Sequence, residues 1–245
     1  MKIDASEFKS VLTRVFSENG LSALLNMDRV EKLYTLTEHM LTENEKYNLT
    51  AITDRDKIIL NHYADCAALA KRLPRGAAVL DVGCGAGFPT LPMAILRDDI
   101  KVTAMDSTAK RVAYVSGTAE LLGLTNVTGV TMRAEDGAKD PAMREKFDIV
   151  TARAVAELRI LAELCLPYVK IGGAFMAMKG KNAEAELAGA KRAIAILGGR
   201  STHTEEITLT GGGETLSHPL IIVDKKEKTP HVYPRPYAQI SKKPL

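Results

Sequence analysis

Glycines at positions 83, 85 and 87 follow Asp81, and they are the part of the sequence best suited to chemistry. A glycine-rich turn between a strand and a helix lets the backbone approach a ligand closely, and the helix offers free N–H groups. Asp106 ends the next predicted strand, where an acid accepts hydrogen bonds from ribose hydroxyls. The spacing predicts a site for a nucleoside-containing cofactor; the alternative is a glycine turn that holds no ligand.

The residue after the third glycine distinguishes two kinds of nucleotide cofactor. A dinucleotide site has the pattern GxGxxG, whose last glycine permits close helix–strand packing beside a pyrophosphate. Phe88 stands at that last position, which argues against NAD and FAD. The pattern D-x-G-x-G-x-G is instead similar to the first motif of class I S-adenosylmethionine methyltransferases, so S-adenosylmethionine is the expected cofactor.

The segment after the fourth predicted strand limits the chemistry of the methyl acceptor. Methylation of an exocyclic amine goes with an (N/D)PP(Y/F) loop there, and this chain has TARAVAEL. Methylation of a pyrimidine carbon needs a cysteine nucleophile, and Cys165 lies inside a predicted helix. A base nitrogen with a free lone pair, such as guanine N7, needs positioning rather than a general base. A small metabolite as acceptor, or a non-enzymatic role in RNA binding, stays open at this point.

The elements that position these residues follow an α/β pattern. From residue 77, short apolar runs alternate with helical patterns, which is typical of βαβ units. We predict strands at 77–83, 101–106, 127–133, 147–153 and 173–180, with helices at 90–97, 108–122, 157–168 and 183–197. A hairpin at 203–209 and 219–225 closes the sheet. The expected fold is a Rossmann-like sheet of seven mostly parallel strands with one antiparallel strand, and its ligand lies at the carboxyl ends of the first strands.

The first 75 residues have helical periodicity instead, with Asp28 and Asp54 placed as N-caps.

The last residues, 225–245, hold six Lys or Arg and one acid, although the whole chain has a net charge of +3. Four of the ten prolines fall there, which predicts an extended, non-helical tail. Such a tail contacts an RNA backbone or is a solvated terminus. We predict a helical extension at 1–75, a cofactor-binding domain at 76–226 and a C-terminal tail at 227–245.

Composition excludes several classes of protein. No apolar run approaches the ~18 residues of a membrane span, and the first residues lack the basic and apolar regions of a signal peptide. The three cysteines are far apart and form no CxxC pair, which disfavours a disulfide scaffold and a metal site. We expect a cytoplasmic protein, monomeric, with no membrane partner.

Several segments, taken in order along the chain, closely resemble one family. They are YNLTAI at 47–52, DVGCGAGFPTLPMAI at 81–95, RAED at 133–136, TARAVAEL at 151–158 and YPRPYAQISKKPL at 233–245. On these segments the chain resembles the ribosomal RNA small subunit methyltransferase G family, also called glucose-inhibited division protein B, over about residues 30–245. The resemblance implies methyl transfer from S-adenosylmethionine to N7 of guanine 527, in the 530 loop of bacterial 16S rRNA, within the 30S subunit or an assembly intermediate.

The resemblance also implies roles for individual residues. The expected cofactor contacts are Gly83, Gly85, Phe88, Asp106, Ser107, Ala134, Glu135 and Arg153. Gly83 and Phe88 belong to the methionine end of the cofactor, the pair at 106 and 107 to its ribose, and the pair at 134 and 135 to its adenine, while Arg153 closes the site. The expected contacts to RNA phosphates are Arg111, Lys179, Arg235, Lys242 and Lys243. Tyr47 or Phe88 is a candidate to stack on the target base.

Overall fold

The computed structural model describes residues 3–47, 49–153, 156–180 and 182–245. Its centre is a seven-stranded sheet with the order β3-β2-β1-β4-β5-β7-β6. The strands are β1 Ala78–Val82, β2 Lys101–Asp106, β3 Val127–Thr131, β4 Phe147–Arg153, β5 Val169–Met178, β6 Gly199–Gly211 and β7 Glu214–Lys225. Pairing is parallel from β3 through β5, and β7 is antiparallel to both of its neighbours. This confirms the predicted sheet with one antiparallel strand.

The closing hairpin is longer than predicted. β6 and β7 stay paired up to a turn at Gly212 and Gly213. These two glycines have positive φ values of 60° and 79°, which a two-residue hairpin turn requires at its centre. The predicted limits of 209 and 219 are therefore wrong, because the polar residues beside the two glycines continue the strands.

Helices cover both faces of the sheet. They are α1 Ala5–Glu18, α2 Met27–Tyr47, α3 Arg55–Ile58, α4 Asp65–Ala70, α5 Thr90–Leu96, α6 Ala109–Leu121, α7 Ala134–Gly137, α8 Leu158–Cys165, α9 Ala183–Ile196 and α10 Tyr237–Lys242. A π-helical turn, Ile59–Ala64, joins α3 to α4. Within the described ranges, no helix is long and apolar enough to cross a membrane.

The two faces of the sheet belong to two separate apolar clusters. Val79 on β1 belongs to the cluster that contains side chains of α1, α2, α4 and α5, while the next residue, Leu80, belongs to the cluster that contains those of α8, α9 and α10. Successive side chains of a strand point to opposite faces, so a sheet covered on both sides needs apolar residues at every position. β1 fits this rule, since its positions from Val79 to Val82 are all buried.

One of the two predicted N-caps is correct. Asp54 Oδ1 accepts a hydrogen bond from the Lys57 amide at 3.0 Å, at the start of α3. At α2 the cap is Asn26, whose Oδ1 accepts from the Arg29 amide at 2.8 Å. Asp28 lies inside the first turn of α2, so its assignment as an N-cap is wrong. Asn26 and Asp28 both suit the amino-terminal turn of a helix, so the sequence pattern alone did not show at which of the two the helix begins.

The C-terminal tail is not extended throughout, contrary to the prediction. Residues 237–242 form α10, and Pro236 directly precedes the helix. A proline is tolerated at this boundary because the first turn of a helix does not use its N–H groups. Ile240 of α10 is fully buried in the cluster around α8 and α9. Burial of this apolar side chain stabilises a helix that would be too short to persist alone.

Candidate active site

A cavity of about 700 Å³ lies at the carboxyl ends of β1 to β4. This volume is within the range of ~300–1,000 Å³ that is usual for small-molecule sites. The position is the predicted one, at the boundary between β1 and β4, where the chain continues from β1 to β2 on one side and from β4 to β5 on the other. The predicted cofactor residues that line it are Gly83, Gly85, Asp106, Ser107, Ala134, Glu135 and Arg153. The fold thus brings together every predicted cofactor residue except Phe88.

The glycine turn after β1 is held against β2 by its backbone. The amides of Gly83 and Cys84 both donate to the Met105 carbonyl, at 2.8 and 2.9 Å. Gly83 and Gly85 have positive φ values of 78° and 53°. A Cβ atom at Gly85 would have only the Gly83 carbonyl oxygen within 4 Å, at 3.8 Å. The turn therefore leaves open space where it lines the cavity.

Asp106 connects the glycine turn to the helix that follows β2. Its Oδ1 accepts from the Thr108 amide at 2.8 Å, and its Oδ2 accepts from the Gly85 amide at 3.2 Å. Arg111 Nη1 lies 3.4 Å from the same Oδ2. The carboxylate is 4% exposed, so these partners hold it at a fixed orientation at the cavity wall. Each carboxylate oxygen accepts more than one hydrogen bond, which leaves capacity for ligand hydroxyls.

A different part of the cavity wall comes from α7, after β3. The Tyr168 hydroxyl donates to the Ala134 carbonyl at 2.6 Å and fixes the start of this short helix. The Glu135 side chain is 10% exposed, and Arg133 Nη1 lies 4.0 Å from it. A largely buried carboxylate beside a cavity can accept a hydrogen bond from an amino group of a ligand.

Asp81 lies beneath the glycine turn, at the end of β1. The Thr90 hydroxyl donates to its Oδ2 at 2.6 Å, which ties the start of α5 to the strand. Its Oδ1 is buried and has no hydrogen-bond partner among the described residues. Burial raises the pKa of Asp81 to about 6, although the hydrogen bond from Thr90 opposes this. A buried acceptor without a partner is costly, and it is expected where a ligand supplies the donor.

Arg153, at the end of β4, lies over Phe88. The guanidinium carbon is 5.6 Å from the centre of the Phe88 ring. The His62 ring stacks on the same phenyl ring with centroids 4.3 Å apart. Phe88 is 7% exposed and does not itself line the cavity. The contacts with His62 and Arg153 favour a supporting role for Phe88 over stacking on a base.

Three further side chains are linked to Arg153, two of them by direct contact and His218 through Asp65. Asp65 Oδ2 lies 3.4 Å from Nη1 of Arg153, and the other oxygen of Asp65 lies 2.6 Å from Nε2 of His218. His62 Nδ1 accepts from Nη2 of Arg153 at 3.4 Å. We call His62, Asp65, Arg153 and His218 the Asp65 cluster. It places a cation at the cavity that is held by partners from α4, β7 and the π-helical turn.

His62 is neutral, and its contacts define its tautomer. Burial, and then the charge of Arg153, lowers the pKa of His62 to about 4. Arginine only donates, so Nδ1 of His62 is the acceptor and the proton is on Nε2. Nε2 therefore donates to the Thr50 hydroxyl oxygen, 3.2 Å away.

Sequence reasoning assigned no role to His62 and Asp65 and missed His218. The spacing of three residues puts His62 and Asp65 on one side of a helix, which was the one available signal. His218 had none, because it precedes an apolar strand in a segment predicted to be a loop. Only the fold places it beside Asp65.

Two of the predicted RNA contacts, Lys179 and Arg235, are mostly buried side chains in ion pairs. Lys179 Nζ lies 2.7 Å from Glu186, and the lysine side chain is 10% exposed. Arg235 Nη2 lies 2.6 Å from Glu163, a side chain with 0% exposure. These charges are already partnered, which favours a structural role for both.

The other predicted RNA contacts are exposed, at the cavity or at the end of α10. Arg111 lines the cavity and its side chain is 57% exposed. Lys242 and Lys243 are exposed at the end of α10, and neither has an ion-pair partner within the described part of the chain. Tyr237, on the same helix, also lines the cavity. The side chain of Tyr47, the other predicted stacking residue, lies outside the described residues.

Comparison with known proteins finds similar sequences that cover most of the chain. A family model described as rRNA small subunit methyltransferase G matches residues 29–211. The ribosomal RNA small subunit methyltransferase G of Clostridium perfringens (strain 13 / Type A) is 44% identical over 222 residues, 90% of this chain and 92% of that protein. The protein of the same name from Clostridium beijerinckii is 42% identical over 241 residues, 98% of this chain and 99% of its own length.

Solved structures show a similar fold at low identity. A SAM-dependent O-methyltransferase from Thermotoga maritima has a TM-score of 0.54 at 14% identity, covering 77% of this chain and 72% of that one. A precorrin-6y C5,15-methyltransferase from Geobacter metallireducens has a TM-score of 0.54 at 14% identity, covering 75% and 96%. At such identity the likeness shows the methyltransferase fold alone.

Proposed function

The chain belongs to the rRNA small subunit methyltransferase G family, and we propose that it transfers a methyl group from S-adenosylmethionine to N7 of a guanine in the 530 loop of 16S rRNA. The observation that carries the proposal is the cavity shared by the glycine turn and Asp106 at the carboxyl ends of the strands. The 30S subunit or an assembly intermediate presents the RNA.

The cavity residues suit the separate parts of S-adenosylmethionine. The guanidinium of Arg153 suits the methionine carboxylate. Asp81 lies beneath the glycine turn rather than in the cavity lining, and its unpartnered Oδ1 suits the methionine ammonium. Asp106, at the end of β2, suits the ribose hydroxyls. Glu135, largely buried beside α7, suits the amino group of adenine. The open face at Gly85 gives the ligand room to lie against the backbone.

Positioning is the contribution that this chain makes to the reaction. When bound, the cofactor supplies a methyl group on a sulfonium, which guanine N7 accepts with its own lone pair. No side chain has to remove a proton from N7, so the cavity residues bind, orient and exclude water. The backbone of the glycine turn and the fixed carboxylate of Asp106 provide a rigid support for this alignment.

The cysteines support an acceptor of this kind over a pyrimidine carbon. Cys66, Cys84 and Cys165 are free and buried. Burial raises the pKa of each thiol above its ordinary value. The thiolate is the nucleophilic form, so these buried thiols are poor nucleophiles.

Three cations are suited to hold the RNA. Arg111 is at the cavity, and Lys242 and Lys243 extend from α10, whose Tyr237 lines the same cavity. Contacts from such side chains to phosphates fix the position of the RNA without reading its sequence.

The proposal is tested by methylation of 30S subunits from cells that lack the endogenous enzyme. The protein is incubated with methyl-labelled S-adenosylmethionine, and the labelled nucleoside is identified and mapped by mass spectrometry. We expect 7-methylguanosine in the 530 loop. Label in another nucleoside contradicts guanine N7 as the acceptor. No label in the RNA while the protein still binds the cofactor contradicts the rRNA substrate and favours a small-molecule substrate.

Two variants with the same chemical change make the result specific to the cavity. Asp106→Asn removes the carboxylate at the ribose position and should weaken cofactor binding about tenfold or more. Asp98→Asn is the control, because the Asp98 side chain is 86% exposed and lies outside the cavity lining. Equal effects of the two changes would contradict the assignment of Asp106.

A further inference from the structure

The Asp65 cluster joins three parts of the chain at one carboxylate. Asp65 Oδ1 is 2.6 Å from Nε2 of His218, and Asp65 Oδ2 is 3.4 Å from Nη1 of Arg153. The side chains of Asp65, His218 and Arg153 are 6%, 14% and 22% exposed. Arg153 lines the cavity and His218 does not. His218 is therefore linked to the cavity through Asp65.

Both ring nitrogens of His218 face oxygen acceptors. Nε2 faces Asp65, and Nδ1 lies 3.5 Å from the Pro219 carbonyl oxygen. Only the protonated ring has a donor on each nitrogen, so the surroundings favour the imidazolium. Burial opposes the charge, but Asp65, the Pro219 carbonyl and Glu206 on β6 together raise the pKa of His218 above its ordinary value.

Arg153 is fixed on the sides that do not face the cavity. Nη1 also donates to the Asn61 carbonyl at 3.4 Å, and Nη2 donates to neutral His62 at 3.4 Å. The Phe88 ring lies beneath the guanidinium. Asp65 is the one anion in direct contact with Arg153 among the described residues. The charge of Asp65 therefore decides how much of the charge of Arg153 is left for a ligand.

We propose that His218 is a positioning residue that acts through Asp65: the protonated imidazole shares the Asp65 carboxylate with Arg153 and so strengthens the attraction of Arg153 for the carboxylate of the cofactor's methionine part. This inference rests on the proposed function, which supplies the cofactor. Loss of the proton from His218 leaves Asp65 and Arg153 as a neutral pair. The cofactor is then held less tightly at this end.

The direction of the effect follows from the charges. With His218 protonated, the cluster has one positive charge more than with His218 neutral, and His62 is neutral in both cases. An added positive charge near a partly buried site attracts an anion more than it would in water. Affinity for S-adenosylmethionine should therefore fall as pH rises through the titration of His218. The expected change is about fivefold, at the low end of usual coupling between two sites.

The test compares the dissociation constant of two ligands by calorimetry between about pH 6 and about pH 9. The ligands are S-adenosylmethionine and 5′-methylthioadenosine, which lacks the methionine carboxylate. His218→Gln keeps a hydrogen-bond donor for Asp65 but cannot be protonated. His203→Gln is the control, because His203 is 52% exposed on β6 and lies 3.6 Å from a glutamate without contacting the Asp65 cluster.

We expect S-adenosylmethionine to bind wild type and His203→Gln about fivefold more tightly at low pH than His218→Gln, with the three proteins equal at high pH. The three proteins should bind 5′-methylthioadenosine with equal dissociation constants at each pH. An unchanged pH dependence in His218→Gln overturns the inference and leaves the proposed function intact. Failure of wild type to bind S-adenosylmethionine at all overturns both.

A measurement on the unaltered protein tests the inference even if His218→Gln folds poorly. The pKa of His218 is followed by NMR of its imidazole, with and without each ligand. Coupling is reciprocal, so S-adenosylmethionine should raise the pKa of His218 and 5′-methylthioadenosine should not. Equal pKa values in the free and S-adenosylmethionine-bound protein would contradict the inference.

Discussion

Arg235 binds both oxygens of the Glu163 carboxylate and so fixes the C-terminal tail to α8. Nε lies 2.9 Å from Oε1 and Nη2 lies 2.6 Å from Oε2. The amide of Arg235 donates to the same Oε1 at 2.9 Å. Glu163 has 0% exposure, so the guanidinium and the backbone amide of Arg235 stabilise its buried charge. Because α10 begins two residues later, this ion pair also sets where Tyr237 and the lysines of α10 lie.

Removal of Arg235 should destabilise the protein more than removal of the charge on Glu163. Arg235→Ala leaves a buried carboxylate without its counter-ion, at a cost of about 3 kcal/mol in the free energy of unfolding. Glu163→Gln leaves the arginine, which is 21% exposed and can reach water. Adding Glu163→Gln to Arg235→Ala should therefore restore part of the lost stability. Urea denaturation measures all three variants.

The control for this prediction is an ion pair of the same geometry at the surface. Arg200 binds both oxygens of Glu227, with side chains 52% and 57% exposed. Arg200→Ala should cost less than about 1 kcal/mol, because water solvates the carboxylate that remains. Similar losses for Arg200→Ala and Arg235→Ala would show that burial of Glu163 does not matter.

Lys242 and Lys243 should contribute to RNA binding through charge alone. Replacing both by Gln should weaken binding to 16S rRNA and lower the dependence of log affinity on log salt by about one for each lysine. Folding stability should change by less than about 0.5 kcal/mol, because both side chains are exposed. Lys228→Gln is the control; this exposed lysine lies beside Gly198, near the start of β6 and away from the cavity. A loss in Lys228→Gln equal to the loss per lysine in the double variant would indicate a non-specific effect of net charge.

The sheet and the cofactor cavity could be predicted because their signals are local. The glycine turn and Asp106 each end a strand, and parallel strands bring their carboxyl ends to one edge. The same rule explains why Ala134 and Arg153 line the same cavity, since each follows or ends a strand of that sheet. The glycine-rich composition near residue 212 predicted a longer loop. The pairing of β6 with β7 shows that the turn consists of two residues.

The partners of charged side chains could not be predicted. Arg235 and Glu163 are far apart in the chain, as are His218 and Asp65, and each pair forms only when the fold is complete. A count of charges in the tail gave no means to distinguish the buried ion pair of Arg235 from a free cation. Burial decides that distinction, and a single sequence does not show which surface residue has an acid beneath it.

Lys225 should make stability depend on pH in the alkaline range. It is fully buried and donates to the carbonyls of Leu166 and Leu197, at 2.8 and 3.1 Å. Burial lowers the pKa of Lys225 from 10.5 to about 8, with Glu145 opposing the shift. Between these values the unfolded chain binds more protons than the folded protein, so the free energy of unfolding gains from this lysine as pH rises. The gain approaches about 1.4 kcal/mol per pH unit, the value for one proton.

The measurement is urea denaturation at about pH 7.5 and about pH 9.5. Lys225→Met should remove the alkaline gain in stability relative to wild type. Lys226→Met is the matched control, since the Lys226 side chain is 53% exposed and its contribution should not depend on pH in this range. The same pH dependence in wild type and Lys225→Met would contradict the lowered pKa.

Gly85→Ala should damage cofactor binding far more than folding. Gly85 has a φ of 53°, so an alanine there costs about 1–2 kcal/mol in stability. Its Cβ would enter open space at the cavity and occupy volume that the cofactor needs.

Gly123→Ala is the control, because Gly123 has a φ of 63° with nothing within 4 Å of an added Cβ and does not line the cavity. Thermal unfolding should show similar losses for both variants, while calorimetry should show weaker S-adenosylmethionine binding, by about tenfold or more, in Gly85→Ala alone. Unchanged affinity in Gly85→Ala would mean that the cofactor does not lie against this turn.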